Sequence, residues 1–265
     1  MLNLSEIIRA YPETLHIYRA FILREYLQYK ILEILFEGPY ASKFCFLGGT
    51  CLRLVHNNLR FSEDLDFDNF DITEAEFSEV SVSIKTGLER QGYQVEMKQI
   101  IRGAYHCHIR FPGLLFEQGL SGYREERILI QLDTEPQHFD FQPEIVVLNK
   151  FDVTTSIFTT PLDLLLAQKF TALCQRKRSK GRDFFDIVFL LSKSVKPNYN
   201  YLKMKLDVST PTQLLERVRE VCNRTDMEEM VSDVRSFLFN PSDEKKIKLF
   251  LPILEQADLG IANTE

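Results

Sequence analysis

Residues 46–67 read FLGGTCLRLVHNNLRFSEDLDF, and their reading decides the fold. Residues 43–47 suit a short strand stopped by Gly48-Gly49, and residues 50–56 carry Leu52 and Val55 at the spacing of a short helix. Residues 63–68 return as a strand, whose period of two puts Asp64, Asp66 and Asp68 on one face while Leu65 and Phe67 point into a core. Carboxylates presented together can hold divalent cations. Beside them, the glycines at 48 and 49 allow backbone N–H groups to approach phosphate, and Thr50 adds a hydroxyl. The pattern therefore suits a nucleoside triphosphate and its metal ions.

Upstream, residues 13–36 place Leu15, Tyr18, Phe21, Ile22, Leu27, Ile31, Leu32 and Leu35 mostly three or four apart, which predicts an amphipathic helix with Pro12 in its first turn and Gly38-Pro39 past its end. Downstream, residues 73–91 predict a helix with Thr73 as N-cap and Glu76 completing a capping box. Strands are expected at 93–101, 105–111 and 127–133, the first two joined at Gly103-Ala104. Asp133 closes an otherwise apolar strand and shares a face with Leu129 and Gln131.

A further extended segment covers residues 144–159, and the composition changes character near residue 155. Thr160, Pro161 and Asp163 supply a cap, a first-turn proline and an early acid for a helix reaching about residue 176. Helices are predicted thereafter at 183–194, 199–206, 210–222, 226–237 and 242–256. The expected class is α+β: a mixed sheet with flanking helices and the N-terminal helix in residues 1–155, then a helical domain in residues 156–265.

A formal charge of -6 and pI near 5.5 argue against broad nonspecific nucleic-acid binding but leave room for a local basic patch. The five cysteines, Cys45, Cys51, Cys107, Cys174 and Cys222, are odd in number and widely spaced, so buried thiols in a reducing compartment are expected rather than disulfides. The N-terminus lacks the basic start and apolar run of a signal peptide, and no apolar run approaches the roughly 20 residues that span a bilayer. A cytoplasmic protein without a membrane partner is the expectation.

GGT at 48–50 followed by RFSEDLDF at 60–67 resembles the signature of the DNA polymerase beta-type nucleotidyltransferase superfamily, and the surrounding pattern resembles the AbiEii/AbiGii toxin family, including MenT-like toxins. The segment LLAQKFTALCQRKRSKGRDFFDI at 165–187 resembles that family's second conserved region, a lysine on a helix followed by an arginine-aspartate pair and a further acid. Roughly the last 70 residues match only in being helical. The resemblance implies transfer of NMP from an NTP to an acceptor with release of pyrophosphate, on two magnesium or manganese ions. It implies that Asp64 and Asp66 bind metal, that Gly49 and Thr50 contact phosphate beside Gly48, and that Lys169 contacts the triphosphate. Asp183 falls on a later aspartate that orients lysine or arginine side chains. Asp133 suits the third carboxylate, either as metal ligand or as base for an incoming hydroxyl. Thr50 stands where many members have serine, which preserves the hydroxyl.

The basic run Arg176, Lys177, Arg178, Lys180 and Arg182 reads either as a solvated loop or as a phosphate-binding segment for nucleotide or RNA, with Arg176, Arg178 and Arg182 as candidate substrate contacts. His106 and His108 share a strand face without an evident third metal ligand, which favours an exposed or substrate-groove pair. Phe184, Phe185 and Phe189 read as core. The resemblance implies the 3′ end of tRNA as acceptor and a toxin restrained by an antitoxin. A small-molecule acceptor such as an antibiotic, or a noncatalytic nucleotide- or RNA-binding module, are the alternatives. The substrate is expected where the acidic strand and the RDFFD segment face each other.

Overall fold

The computed structural model describes residues 2–260, apart from the side chain of Arg102. They form two compact units, residues 2–56 with 61–159 and residues 57–60 with 160–260. Among the described residues no helix is long and apolar enough to cross a membrane.

The first unit is built on a seven-stranded mixed sheet. Its strands are β1 (Phe44–Leu47), β2 (Leu65–Asn69), β3 (Glu96–Arg102), β4 (Ala104–Pro112), β5 (Arg127–Thr134), β6 (Glu144–Lys150) and β7 (Val153–Thr159), in the order β3-β4-β5-β2-β1-β7-β6. β2 runs parallel to β5 and antiparallel to β1, and β1 runs parallel to β7. The pairs β3/β4, β4/β5 and β6/β7 are antiparallel. β7 thus carries the first unit to Thr159, past the compositional change near residue 155.

Around the sheet lie α1 (Leu4–Arg9), α2 (Arg19–Phe36), α3 (Gly48–Leu54), α4 (Glu74–Arg90) and the single turn α5 (Leu114–Glu117). Phe67 of β2 packs against Phe44 and Phe46 with ring centroids 5.6 and 5.3 Å apart, and against Phe36 of α2. Phe77 of α4 lies 5.2 Å from Tyr105 of β4. Helices α2 and α4 therefore cover the face that receives the odd-numbered residues of β2 and β4, where Leu65, Phe67, Cys107, Ile109 and Phe111 are buried. Side chains alternate along a strand, so Asp66, His106 and His108 fall on the opposite face.

The second unit is helical: α6 (Leu162–Gln175), α7 (Gly181–Ser192), α8 (Tyr199–Leu206), α9 (Pro211–Asn223), α10 (Met227–Val234), α11 (Lys245–Lys248) and α12 (Phe250–Gln256). Phe184 and Phe185 are buried in its core, with Phe184 edge-on to Phe250 at 4.8 Å, while Phe189 is half-buried.

Several boundaries differ from expectation for identifiable reasons. The helix expected over 13–36 starts only at Arg19, because Pro12 opens a separate 3-10 turn, Glu13–Leu15. The helix expected over 242–256 is broken into a 3-10 turn (Pro241–Glu244), α11 and α12. Pro252 has no N–H to donate four residues back, and the restart at Phe250 places it in a first turn, where none is needed. The capping box at Thr73 and Glu76 forms as read, with Thr73 N–H donating to Glu76 Oε2 at 2.8 Å and Glu76 N–H to Thr73 Oγ1 at 3.3 Å. All five cysteines are free thiols, four of them buried.

Candidate active site

The acidic motif of the first unit is assembled by register. Asp66 on β2 lies beside Asp133 on β5, and Asp133 lies beside His106 on β4. Nδ1 of His106 is 2.8 Å from Oδ1 of Asp133. One row nearer the start of β2, Gln131 of β5 donates from Nε2 to Oδ1 of Asp64 at 3.3 Å and stands opposite His108. Two rows of polar side chains thus end in the two acids. Asp68, read as their third neighbour on that face, is buried and accepts from the backbone N–H of Gln137 at 2.8 Å.

The loop leading into β2 is held from behind. Buried Gln28 of α2 donates to the carbonyl oxygens of Ser62 and Glu63 at 3.0 and 2.9 Å. Thr50 is fully buried, and its hydroxyl donates to the carbonyl oxygen of Asp64, a positioning contact the sequence did not suggest. Gly48 has φ +80, and a Cβ built there would collide with Oδ2 of Asp66 and lie 3.0 Å from its Cβ. The diglycine turn is therefore shaped to the Asp66 carboxylate, which explains why the glycines and the acids occur together.

Behind the turn, α3 is anchored by charge. Arg53 donates to buried Glu25 of α2 at 2.8 and 3.2 Å, Lys150 reaches the same carboxylate at 3.0 Å, and the Tyr11 hydroxyl donates to it at 2.7 Å. Burial alone would raise the Glu25 carboxyl, but Arg53 and then Lys150 outweigh it and hold it below its ordinary value.

Among the described residues no three His, Cys, Asp or Glu side chains converge as a ready-made cation site. The donor chemistry of Asp64, Asp66 and Asp133 nevertheless fits a hard divalent ion, since all three offer carboxylate oxygens. Gly48 keeps open the space over Asp66 that a side chain would fill.

In the second unit Lys169 of α6 is only 11% exposed, and its ammonium lies 2.7 Å from Oδ2 of Asp186 and 3.4 Å from Oδ1 of Asp183. Both acids lie on α7 three residues apart, hence on one helical face. Asp183 also pairs with Arg176. Asp186, fully buried, accepts from Asn58 at 2.7 Å and from both Nε and Nη2 of Arg60 at 2.7 and 2.6 Å. Burial would raise its carboxyl, but Arg60 and Lys169 outweigh it and bring it down to about 2. The sequence reading did not single out Arg60 and Asp186 as site residues, although the signal was printed in RFSEDLD and RDFFD.

The basic run is built into the fold rather than trailing from it. Arg178 pairs with Glu229, Ser179 shares a hydrogen bond with Thr225 at 3.2 Å, and the Gly181 N–H donates to Asp233 at 2.8 Å. A Cβ on Gly181 would run into the carbonyl oxygen of Met230, so α10 packs directly on this turn. Arg182 above all, with burial and Arg176, lowers the Lys180 pKa, the mark of cations crowded together.

Comparison with known proteins agrees with this architecture. The structure resembles the crystal structure of JHP933 from Helicobacter pylori at TM-score 0.56 and 17% identity, over 89% of this chain and 90% of that one. It also resembles an H. pylori protein provisionally assigned to the nucleotidyltransferases, at TM-score 0.54 and 17% identity, over 91% and 96% of the two chains. At such identity the likeness carries the fold alone. No curated protein matches the sequence. The sequence profile of the family described as nucleotidyl transferase AbiEii toxin, type IV toxin–antitoxin system, matches residues 30–258. The chain belongs to that family of nucleotidyl transferase toxins.

Proposed function

We propose that this protein transfers NMP from an NTP to the 3′ end of an RNA acceptor, tRNA in particular, in the cytoplasm and under the control of a cognate antitoxin. The observation that supports it most directly is Asp66 side by side with Asp133, with Gly48 left bare against the Asp66 carboxylate. Asp64 and Asp66 are assigned to two magnesium ions, or manganese in their place, with Asp133 beside them. Bound there, such cations would offset the charge of the triphosphate and make its α-phosphorus more electrophilic.

In the proposed step the acceptor oxygen forms a bond to the α-phosphorus while the bond from that phosphorus to the oxygen bridging to the β-phosphate breaks. Pyrophosphate leaves with the bridging oxygen. Asp133, its Oδ1 occupied by His106, offers Oδ2 to the proton of the acceptor hydroxyl. Gly48 and Gly49 present backbone N–H groups to phosphate. Lys169 turns toward Asp183 and Asp186 and retains a further N–H for a phosphate oxygen, and Arg176, Arg178 and Arg182 add positive charge for the departing pyrophosphate.

Incubation with total RNA and each labelled NTP in magnesium, followed by gel analysis, tests the proposal. Labelled tRNA is expected. Asp64→Ala and Asp66→Ala should each abolish NTP consumption with the thermal transition preserved. Full activity in either variant would remove the metal-site argument, and turnover only with added small molecules would replace the RNA acceptor by a small one.

A further inference from the structure

The open face of the sheet continues well beyond the acids. From Asp66 the first row crosses Asp133, His106 and Ile100, and from Asp64 the second crosses Gln131, His108 and Lys98. The third holds Leu129, Arg110 and Glu96, with Glu96 taken up by Arg127 at 2.7 Å. The opposite face is spoken for by α4, whose Ser78 donates to Gln99 at 3.1 Å. Lys98 is exposed, while His108 and Arg110 are half-exposed. Among the described residues none of these three pairs with a carboxylate. At about 4.8 Å per strand, Lys98 stands roughly 14 Å along its row from Asp64.

We propose that this face of β3, β4 and β5 is the track on which a single-stranded RNA acceptor lies, with phosphates meeting Lys98 and Arg110 and a base over His108. The assignment rests on the proposed RNA acceptor and adds where that chain binds. Cations at the far end of the rows attract phosphodiesters, and the uncharged terminal hydroxyl is what arrives beside Asp133. A carboxylate-rich protein segment would bring like charge to Asp64 and Asp66 instead. Imidazole and guanidinium groups also stack on unpaired bases, which suits a single strand.

The test is fluorescence anisotropy of a 5′-labelled dodecamer oligoribonucleotide, titrated with the intact protein from 50 to 200 mM salt without NTP or divalent cation. Lys98→Ala with Arg110→Ala is expected to weaken binding at least tenfold at 50 mM salt. It should also flatten the salt dependence by about 1.4 in log–log slope, at ~0.7 per phosphate contact on a single strand. Lys85→Ala with Lys203→Ala removes the same charge from exposed positions on α4 and α8 and should leave both readings unchanged. Unchanged affinity and slope in the Lys98/Arg110 variant, or no binding by the parent protein, overturns the track. So does a poly-glutamate peptide that displaces the RNA at equal concentration, because the face then belongs to an acidic protein. Asp64→Ala should still bind the dodecamer, so failure of the transferase reading and failure of the track are distinguishable.

Discussion

Replacing Asp186 by asparagine removes the charge that Arg60, Asn58 and Lys169 share. The carboxylate is fully buried and accepts from Arg60, Asn58 and Lys169, and Arg60 is itself 1% exposed. Its pKa of about 2, against an ordinary 3.8, corresponds to about 2 kcal/mol at ~1.36 kcal/mol per pK unit. Taking the Asp186 charge away from the buried guanidinium raises the expected loss toward the ~3–5 kcal/mol typical of a broken buried pair. The pH dependence follows from the sign: a depressed carboxyl stabilises the fold above its unfolded pKa and ceases to do so as pH falls through its folded one. The charge contribution should therefore be complete at pH 7, roughly halved at pH 3 and gone below about pH 2. Urea denaturation of parent and Asp186→Asn protein at pH 7, 4 and 3 reads this directly. A difference below about 1 kcal/mol at pH 7, or one that does not shrink between pH 4 and pH 3, would refute the claim that this carboxylate is ionised and held by its cations.

Two further predictions concern the first unit. Gly48→Ala should lower nucleotidyl transfer at least tenfold and cost about 1–2 kcal/mol of stability, because the new Cβ meets Asp66 at a positive φ. Gly92→Ala, also at positive φ but with nothing within 4 Å of the new Cβ, should lose comparable stability and keep full activity; equal loss of activity in both would show that strain alone is at work. Glu25→Gln should destabilise by about 3 kcal/mol at pH 7, since Arg53 and Lys150 lose their shared counter-charge. The native Glu25 carboxyl is depressed, so its contribution is present above the ordinary carboxylate range and lost below it. The difference between the two proteins should narrow below about pH 4, and a constant gap in denaturation midpoint would count against this.

Much of the fold was legible because local rules agreed with one another. Period-two alternation gave β4 and β5, the capping box at Thr73 and Glu76 placed the start of α4, and Gly103 at φ +77 turns the β3/β4 hairpin. Less legible was anything that depends on a partner distant in sequence. Lys169 reads equally well as a surface residue, because its helix does not reveal which way it points; only the packing of α6 on α7 brings it to Asp183 and Asp186. Thr50 reads as a residue open to ligand until the loop leading into β2 supplies the Asp64 carbonyl oxygen that its hydroxyl meets.

The sequence by itself determined the chemistry that the chain can attempt: hard oxygen donors at alternate positions after a diglycine turn, and a basic segment beside a helical lysine. Those features are fixed by residue type and by the short-range geometry of strands and turns, which spacing reports directly. The tertiary structure alone decided which donors stand together. Asp133 is 67 residues from Asp66, and only the parallel pairing of β5 with β2 puts them side by side. Arg60 is likewise 126 residues from Asp186, and their pairing depends on burial, which makes an unmatched charge costly enough that the fold must supply its partner.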